Sequence, residues 1–136
     1  MRTVSRALVL AAALLAPNMV LAGTLVVRVS GVKAAQGTIY VGVCARSFDE
    51  ADCPYKDRKA AAAGTVELRI PNVAPGRYAI AVYHDVNGNG RLDKALFVPN
   101  EPYGFSNNAG GGTVPSFEGA LITVADPTTA VAVALR

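Results

Sequence analysis

Six short runs of the chain alternate apolar with polar or small side chains, and no stretch beyond the first two dozen residues repeats at a helical period. In Thr24–Ser30, Leu25, Val27 and Val29 share one face; in Gly37–Cys44, Ile39, Val41 and Val43 do the same. Thr65–Ile70 sets Val66, Leu68 and Ile70 against Glu67 and Arg69. A period of two is the mark of a half-buried strand. Tyr78–His84 places Tyr78, Ile80, Val82 and His84 on one face and Ala79, Ala81 and Tyr83 on the other, which predicts a central strand covered on both sides. Ala120–Val124 and Thr129–Leu135 are two closing strands around Asp126-Pro127, and Pro71–Gly76 is a turn. Short strands separated by turn signals predict an all-β fold, a small antiparallel β-sandwich of about six to seven strands with one long loop.

Two segments lack this period. Residues 45–64 are charged and end in an alanine run; Pro54 and Gly64 leave room for one helical turn over Lys59–Ala63, and the rest is expected as a surface loop. Residues 85–118 form a loop long enough to be functional or disordered. Phe97, Tyr103, Phe105 and Phe117 need somewhere to pack, which argues for order, with Gly110–Gly112 as a flexible tip.

The first 22 residues read as a secretory leader: Arg2 and Arg6 precede the apolar run Ala7–Ala16, and Val20-Leu21-Ala22 fits a cleavage site. Pro17 and Asn18 interrupt the apolar run, so a membrane anchor is disfavoured and no span is expected after cleavage. Residues 23–136 then form a single domain of 114 residues, with 11 basic against 10 acidic side chains. A net charge this close to neutral leaves no basic stripe for nucleic acid. In an exported chain, Cys44 and Cys53 are expected as a disulfide that staples the 45–64 loop; metal ligation would lack a nearby histidine. The periplasm is the expected destination, with the extracellular space as the alternative.

The segment Asp85-Val-Asn87-Gly-Asn89-Gly90-Arg91-Leu92-Asp93 has the spacing of a calcium loop. Alternate oxygen-bearing side chains at Asp85, Asn87 and Asn89 can converge on one cation, with Gly90 allowing the sharp turn. The carbonyl of Arg91 would take the seventh position and Asp93 the ninth. The twelfth position holds Leu96 rather than glutamate, and a strand precedes the loop, so this is no EF-hand. Glu101 is the nearest carboxylate to complete such a site. Hard oxygen donors favour calcium, in a structural role, with extracellular-type affinity of about 10⁻⁴–10⁻³ M. The competing reading is a metal-free turn in which Asp85 caps the Asn-Gly repeats.

Two resemblances follow from these residues. Ile70-Pro-Asn-Val-Ala-Pro-Gly-Arg-Tyr78 and the strand after it resemble the strand–turn–strand of transthyretin-like and carboxypeptidase-regulatory-like sandwiches, which implies an immunoglobulin-like or transthyretin-like architecture. His84-Asp85, Asn87–Asp93 and Pro99–Asn107, with the later Pro115-Ser116-Phe117, closely resemble a bacterial family of small exported proteins, domain of unknown function 2141. That family commonly has glycine before its Ile/Val-Pro pair, where this chain has Phe97. The resemblance spans about Leu25–Leu135 and implies a small exported β domain without implying an activity.

Three functional classes remain. A binding or accessory module of the cell envelope would present Tyr83, His84, Tyr103, Phe105 and Asn107 to a glycan, a peptide or another envelope component. A purely structural domain would bury those aromatics. A hydrolase would need a cleft joining His84, Asp85 and Ser106, although Asn108 stands where a nucleophile elbow needs glycine. A non-catalytic binding module is the expectation.

Overall fold

The computed structural model describes residues 13–17, 21–95, 98–111 and 114–136. Most of the expected leader and the aromatic Phe97, with Leu96 and Gly112, lie outside the described residues. Two sheets face each other. The first carries β10 (Thr128–Ala134), β1 (Gly23–Val32) and β4 (Gly64–Val73) in that order, β1 running parallel to β10 and antiparallel to β4. The second is β3 (Tyr55–Ala60), β2 (Thr38–Cys44), β5 (Gly76–Asp85) and β8 (Tyr103–Phe105), with β9 (Leu121–Val124) also on β5. A separate two-stranded pair, β6 (Lys94–Ala95) and β7 (Val98–Pro99), stands off these sheets. The β-sandwich expected from the alternation is the observed fold, and its pairs are antiparallel as expected except for β1 with β10.

The inward faces are the predicted ones. Leu25, Val27 and Val29 of β1 and Val66, Leu68 and Ile70 of β4 meet Ile39, Val41 and Val43 of β2 and Tyr78, Ile80 and Val82 of β5 in one core. Val124 and Val133 close it at the ends of β9 and β10. Each fully buried valine, leucine or isoleucine contributes roughly 1.5–3 kcal/mol relative to exposure. The Tyr78 hydroxyl donates to the Ala74 carbonyl at 2.8 Å, and the Tyr55 hydroxyl accepts from Ala74 N at 3.0 Å. The Pro-Gly-x-Tyr turn is thereby tied to the strand it introduces.

The sequence expectation fails at two places. Residues 55–60 are an edge strand and not a loop or helical turn: β3 pairs antiparallel with β2 from Val43↔Tyr55 to Thr38↔Ala60. Its Lys56, Asp57, Arg58 and Lys59 hide the strand from a hydrophobicity reading, because charged side chains are how exposed sheet edges avoid further pairing. Residues 85–118 are not devoid of regular structure either, since β8 joins the five-stranded sheet and Phe117–Ala120 forms one helical turn, α1. Ser116 caps that turn by accepting from Gly119 N at 3.1 Å. Cys44 and Cys53 are bonded as expected and hold the 45–52 segment to the end of β2.

Two mid-strand glycines distinguish the faces. A β-carbon at Gly104, on the core side of β8, would run into the backbone carbonyl of Ala134 at the end of β10. At Gly42, on the outer side of β2, it would meet only the disulfide atoms at 3.5–3.8 Å, ordinary contact. Gly104→Ala should therefore cost about 1–3 kcal/mol in urea unfolding, whereas Gly42→Ala should leave stability unchanged within about 1 kcal/mol. Equal effects would contradict this placement of β8.

Candidate functional site

The edge of β5 opposite β2 is shared by two strands. Tyr78 lies opposite Ile122 of β9, and Val82 lies opposite Gly104 of β8. Between them neither strand serves Ile80. Its N–H donates instead to the Ser106 hydroxyl at 2.9 Å, and that hydroxyl in turn donates to the Ala120 carbonyl at 2.5 Å. Further along, His84 N donates to the Pro102 carbonyl at 2.8 Å. Ser106 is fully buried and its hydrogen-bonding capacity is used in bridging the seam. Beyond it, Asn107 and Asn108 adopt positive φ of 56° and 51°, which asparagine tolerates better than most residues. Asn107 Nδ2 donates to the carbonyls of Gly119 and Leu121 at 3.2 and 3.0 Å, tying α1 to the same seam.

Docking β8 here lays out rows of side chains across the outer face of the sheet. Paired positions put Arg58, Tyr40, Tyr83 and Tyr103 in one row and Lys56, Gly42, Ala81 and Phe105 in the next. The Tyr40 and Tyr83 rings stack at 5.0 Å with planes 8° apart, while Phe105 packs against Phe48 at 4.6 Å. Phe48 also meets Phe117 edge-on at 5.3 Å. Arg136 places its guanidinium 5.2 Å from the Tyr103 ring centre and donates to Asn108 Oδ1 and the Ala109 carbonyl. Gly42 and Ala81 have no bulk, so the face sinks between the tyrosine row and the disulfide. The result is an open groove of about 820 Å³ whose lining includes Tyr40, Gly42, Cys53, Ala81, Tyr83 and Phe105.

The Asp/Asn loop forms another wall, contributing Gly90 and Leu92. Asp85, 1% exposed, turns its carboxylate into the loop: Oδ1 accepts from Gly88 N and Asn89 N at 2.9 and 3.2 Å, and Oδ2 from Gly90 N at 2.7 Å. Glu101 accepts Val86 N on one oxygen and Asp93 N on the other, both at 3.0 Å, and so pins the two ends of the loop. At the tip, Asp93 meets the amides of Asn87 and Asn89 at 2.6–2.9 Å. Hydrogen bonds from Asn89 and Asn87, with the charge of Arg91, hold the Asp93 carboxyl below its ordinary range. The Tyr83 hydroxyl donates to the Gly90 carbonyl at 3.3 Å, so the loop wall and the aromatic row are connected.

These positions sort the predicted residues. Tyr83, Tyr103 and Phe105 converge on the groove; Tyr40 and Gly42, which complete it, went unread although they sit on the outward face of an alternating strand. His84 does not join them. It is 1% exposed on the core side of β5, with Nε2 2.5 Å from the Gln36 carbonyl, and Nδ1 has no partner among the described residues. Asn107 is committed to backbone carbonyls. Glu101 is a loop anchor through backbone N–H groups and not a fifth side chain at the tip. His84, Asp85 and Ser106 do not share a cleft: Ser106 serves Ile80, four residues from His84 along β5, about 13 Å. For a cation, the tip offers Asp93 with the side chains of Asn87 and Asn89, and rotating either amide would exchange its nitrogen for its oxygen. The Asp85 carboxylate faces backbone N–H groups, and Arg91 N donates to Asn89 Oδ1 at 3.1 Å. Among the described residues no group of three or more His, Cys, Asp or Glu side chains could hold a metal ion.

Fold and groove together define a β-sandwich with a built sheet-face cleft. The chain belongs to a family of uncharacterised proteins conserved in bacteria, domain of unknown function 2141, which matches residues 27–132. No curated protein and no solved structure matches it. Within the matched segment, Glu101 anchors the Asp/Asn loop, Gly104 admits β10, and Ser106 closes the seam.

Ser106→Ala should leave the buried Ile80 N–H unpaired and cost about 1–3 kcal/mol in chemical denaturation; an unchanged midpoint would contradict the seam. The Tyr83 phenol is pushed up to about 12, first by burial and then by Tyr40 and the nearby carboxylates. A raised value means the neutral phenol is favoured by folding, so its contribution is complete below pH 10 and is lost as pH rises toward 12. Absorbance titration should show a phenol ionising near 12 that is missing in Tyr83→Phe.

Proposed function

We propose that the protein is an exported, non-catalytic binding module of the bacterial cell envelope, which holds a small envelope component, or a short piece of glycan or peptide, in the groove of its five-stranded sheet. The observation that carries this reading is the convergence of Tyr83, Tyr103 and Phe105 on one open cleft floored by Gly42 and Ala81. A domain with a merely structural role would have no reason to leave two small residues beneath an aromatic row, and cleft volumes of roughly 300–1,000 Å³ are typical of small-molecule sites. Export is supported by the charged and apolar leader over residues 1–22 and by the Cys44–Cys53 disulfide, since such bonds persist in oxidising compartments. Among the described residues no helix is long and apolar enough to cross a membrane. The periplasm is the destination we assign.

Calcium, in this reading, steadies the loop wall. The support is the convergence of Asp93, Asn87 and Asn89 at one point, with Asp85 ordering the backbone behind them. Tyr83, through Gly90, would pass that order to the groove.

The test is a thermal-shift screen of the mature protein against envelope glycans and peptides, with and without calcium. A ligand should raise the melting point, and Tyr83→Ala or Tyr103→Ala should weaken it at least about tenfold, as truncating a central aromatic does. A ligand indifferent to both substitutions would contradict the groove. With calcium near 1 mM and a dissociation constant near 0.1 mM, linkage stabilises the fold by roughly 1.4 kcal/mol. That amounts to several degrees for a domain of this size, and Asp93→Ala should abolish it; identical melts in calcium and chelator would remove the cation from the account.

A further inference from the structure

The arrangement of the rings narrows what the groove can take, given that it is the binding site. The Tyr40 and Tyr83 rings are parallel and stacked across the β2–β5 pairing, so each covers one face of the other and their edges run along the strands toward Gly42 and Ala81. The Tyr103 ring faces the Arg136 guanidinium, and Phe48 is held between Phe105 and Phe117. What borders the floor includes the ring edges of Tyr40 and Tyr83, disulfide sulfur, and the small surfaces of Gly42 and Ala81. A sugar that recognises aromatics by lying flat on a ring face finds one face of each of these tyrosines already engaged. Ring edges carry the positive end of the aromatic quadrupole, which favours electron-rich and anionic groups and disfavours cations.

The charged lining agrees. Glu50, Lys56, Asp57, Arg58 and Lys94 border the groove. Lys56 is neutralised by Glu50 at 2.9 Å, and the Asp57 carboxylate accepts the backbone N–H of Arg58 at 2.8 Å. The Arg58 guanidinium and the Lys94 ammonium have no acidic partner among the described residues. Arg58 pairs with Tyr40, so it stands at the end of the tyrosine row and beside the floor. Its planar fork matches a carboxylate in a way that a lysine does not.

We infer that the groove binds an amphipathic monocarboxylate, with a slim apolar chain along the Gly42–Ala81 floor and its carboxylate at Arg58. The row from Lys56 through Gly42 and Ala81 to Phe105 crosses three inter-strand spacings, about 14 Å. A medium straight chain fits that width. Lys94, also in the lining, adds positive potential to the groove.

Calorimetric titration of the mature protein with octanoate, 1-octanol and octyltrimethylammonium tests this, with amide chemical shifts recorded in parallel. Octanoate should bind and shift the amides of Gly42 and Ala81. Octanol should bind at least about tenfold more weakly, because a charge-assisted pair is lost, and the ammonium should not bind. Arg58→Ala should lower octanoate to the affinity of octanol and leave octanol unchanged; Gly42→Leu should abolish both by filling the floor. Should Gly42→Leu fail to fold, the Arg58 comparison and the wild-type shifts still decide. Equal affinity of octanoate and octanol, or an octanoate affinity indifferent to Arg58→Ala, overturns the carboxylate while leaving the groove as a binding site. Octanoate that shifts neither Gly42 nor Ala81 overturns the inference outright. A neutral oligosaccharide that shifts both amides where octanoate does not overturns it in favour of a glycan ligand.

Discussion

One hydroxyl holds the functional face together. β5 is long enough to receive two strands on one edge, and wherever β9 ends and β8 begins a backbone N–H must be left over. Ser106 satisfies that group at Ile80 and links it to Ala120 in the same stroke. A buried N–H without a partner costs about 1–3 kcal/mol, so the two strands can meet on β5 only because a small hydroxyl residue falls at the junction. Everything that makes the outer face unusual follows from β8 being there: Tyr103 and Phe105 extend the rows of β2 and β5, and Arg136 and Phe48 have aromatic partners to rest against.

The second constraint is the anchoring of the Asp/Asn loop. Asp85 and Glu101 are both buried carboxylates, and each oxygen of each accepts a backbone N–H. That is how a chain can carry acidic groups at 1% and 8% exposure with no counter-charge paired to them among the described residues. The two residues come from opposite ends of one excursion, so together they close it. The loop is thus shaped by carboxylate-to-backbone bonds, and at its tip Asp93 meets Asn87 and Asn89 through side chains alone. Through Tyr83 and Gly90 the tip and the groove belong to one unit.

Much of this was legible in the sequence, and the rest was hidden for identifiable reasons. The core strands announced themselves by period: Leu25, Ile39, Leu68 and Ile80 are buried where alternation put them. β3 was invisible because its Lys56, Arg58 and Lys59 protect an edge, which removes the apolar signal that marks a strand. β8 was invisible because three residues, one of them glycine, cannot show a period. For the site, Tyr83, Tyr103 and Phe105 stood out by chemistry and fell together. His84 was misread although its own alternation, in step with Tyr78, Ile80 and Val82, already put it inward. Tyr40 and Gly42 could have been found by asking what lies opposite Tyr83 and Ala81, but cross-strand register needs the pairing of β2 with β5, which no local pattern supplies.

β8 is fixed to β5 through the Ser106 seam, and native-state hydrogen exchange of the mature protein reads that fixation amide by amide. The amide of Ile80 should be protected to the same degree as that of Val82, whose partner is Gly104 in β8. Exchange at Ile80 as fast as at the loop amides of Asn87 or Arg91, with Val82 still protected, would contradict the seam and with it the groove that depends on it.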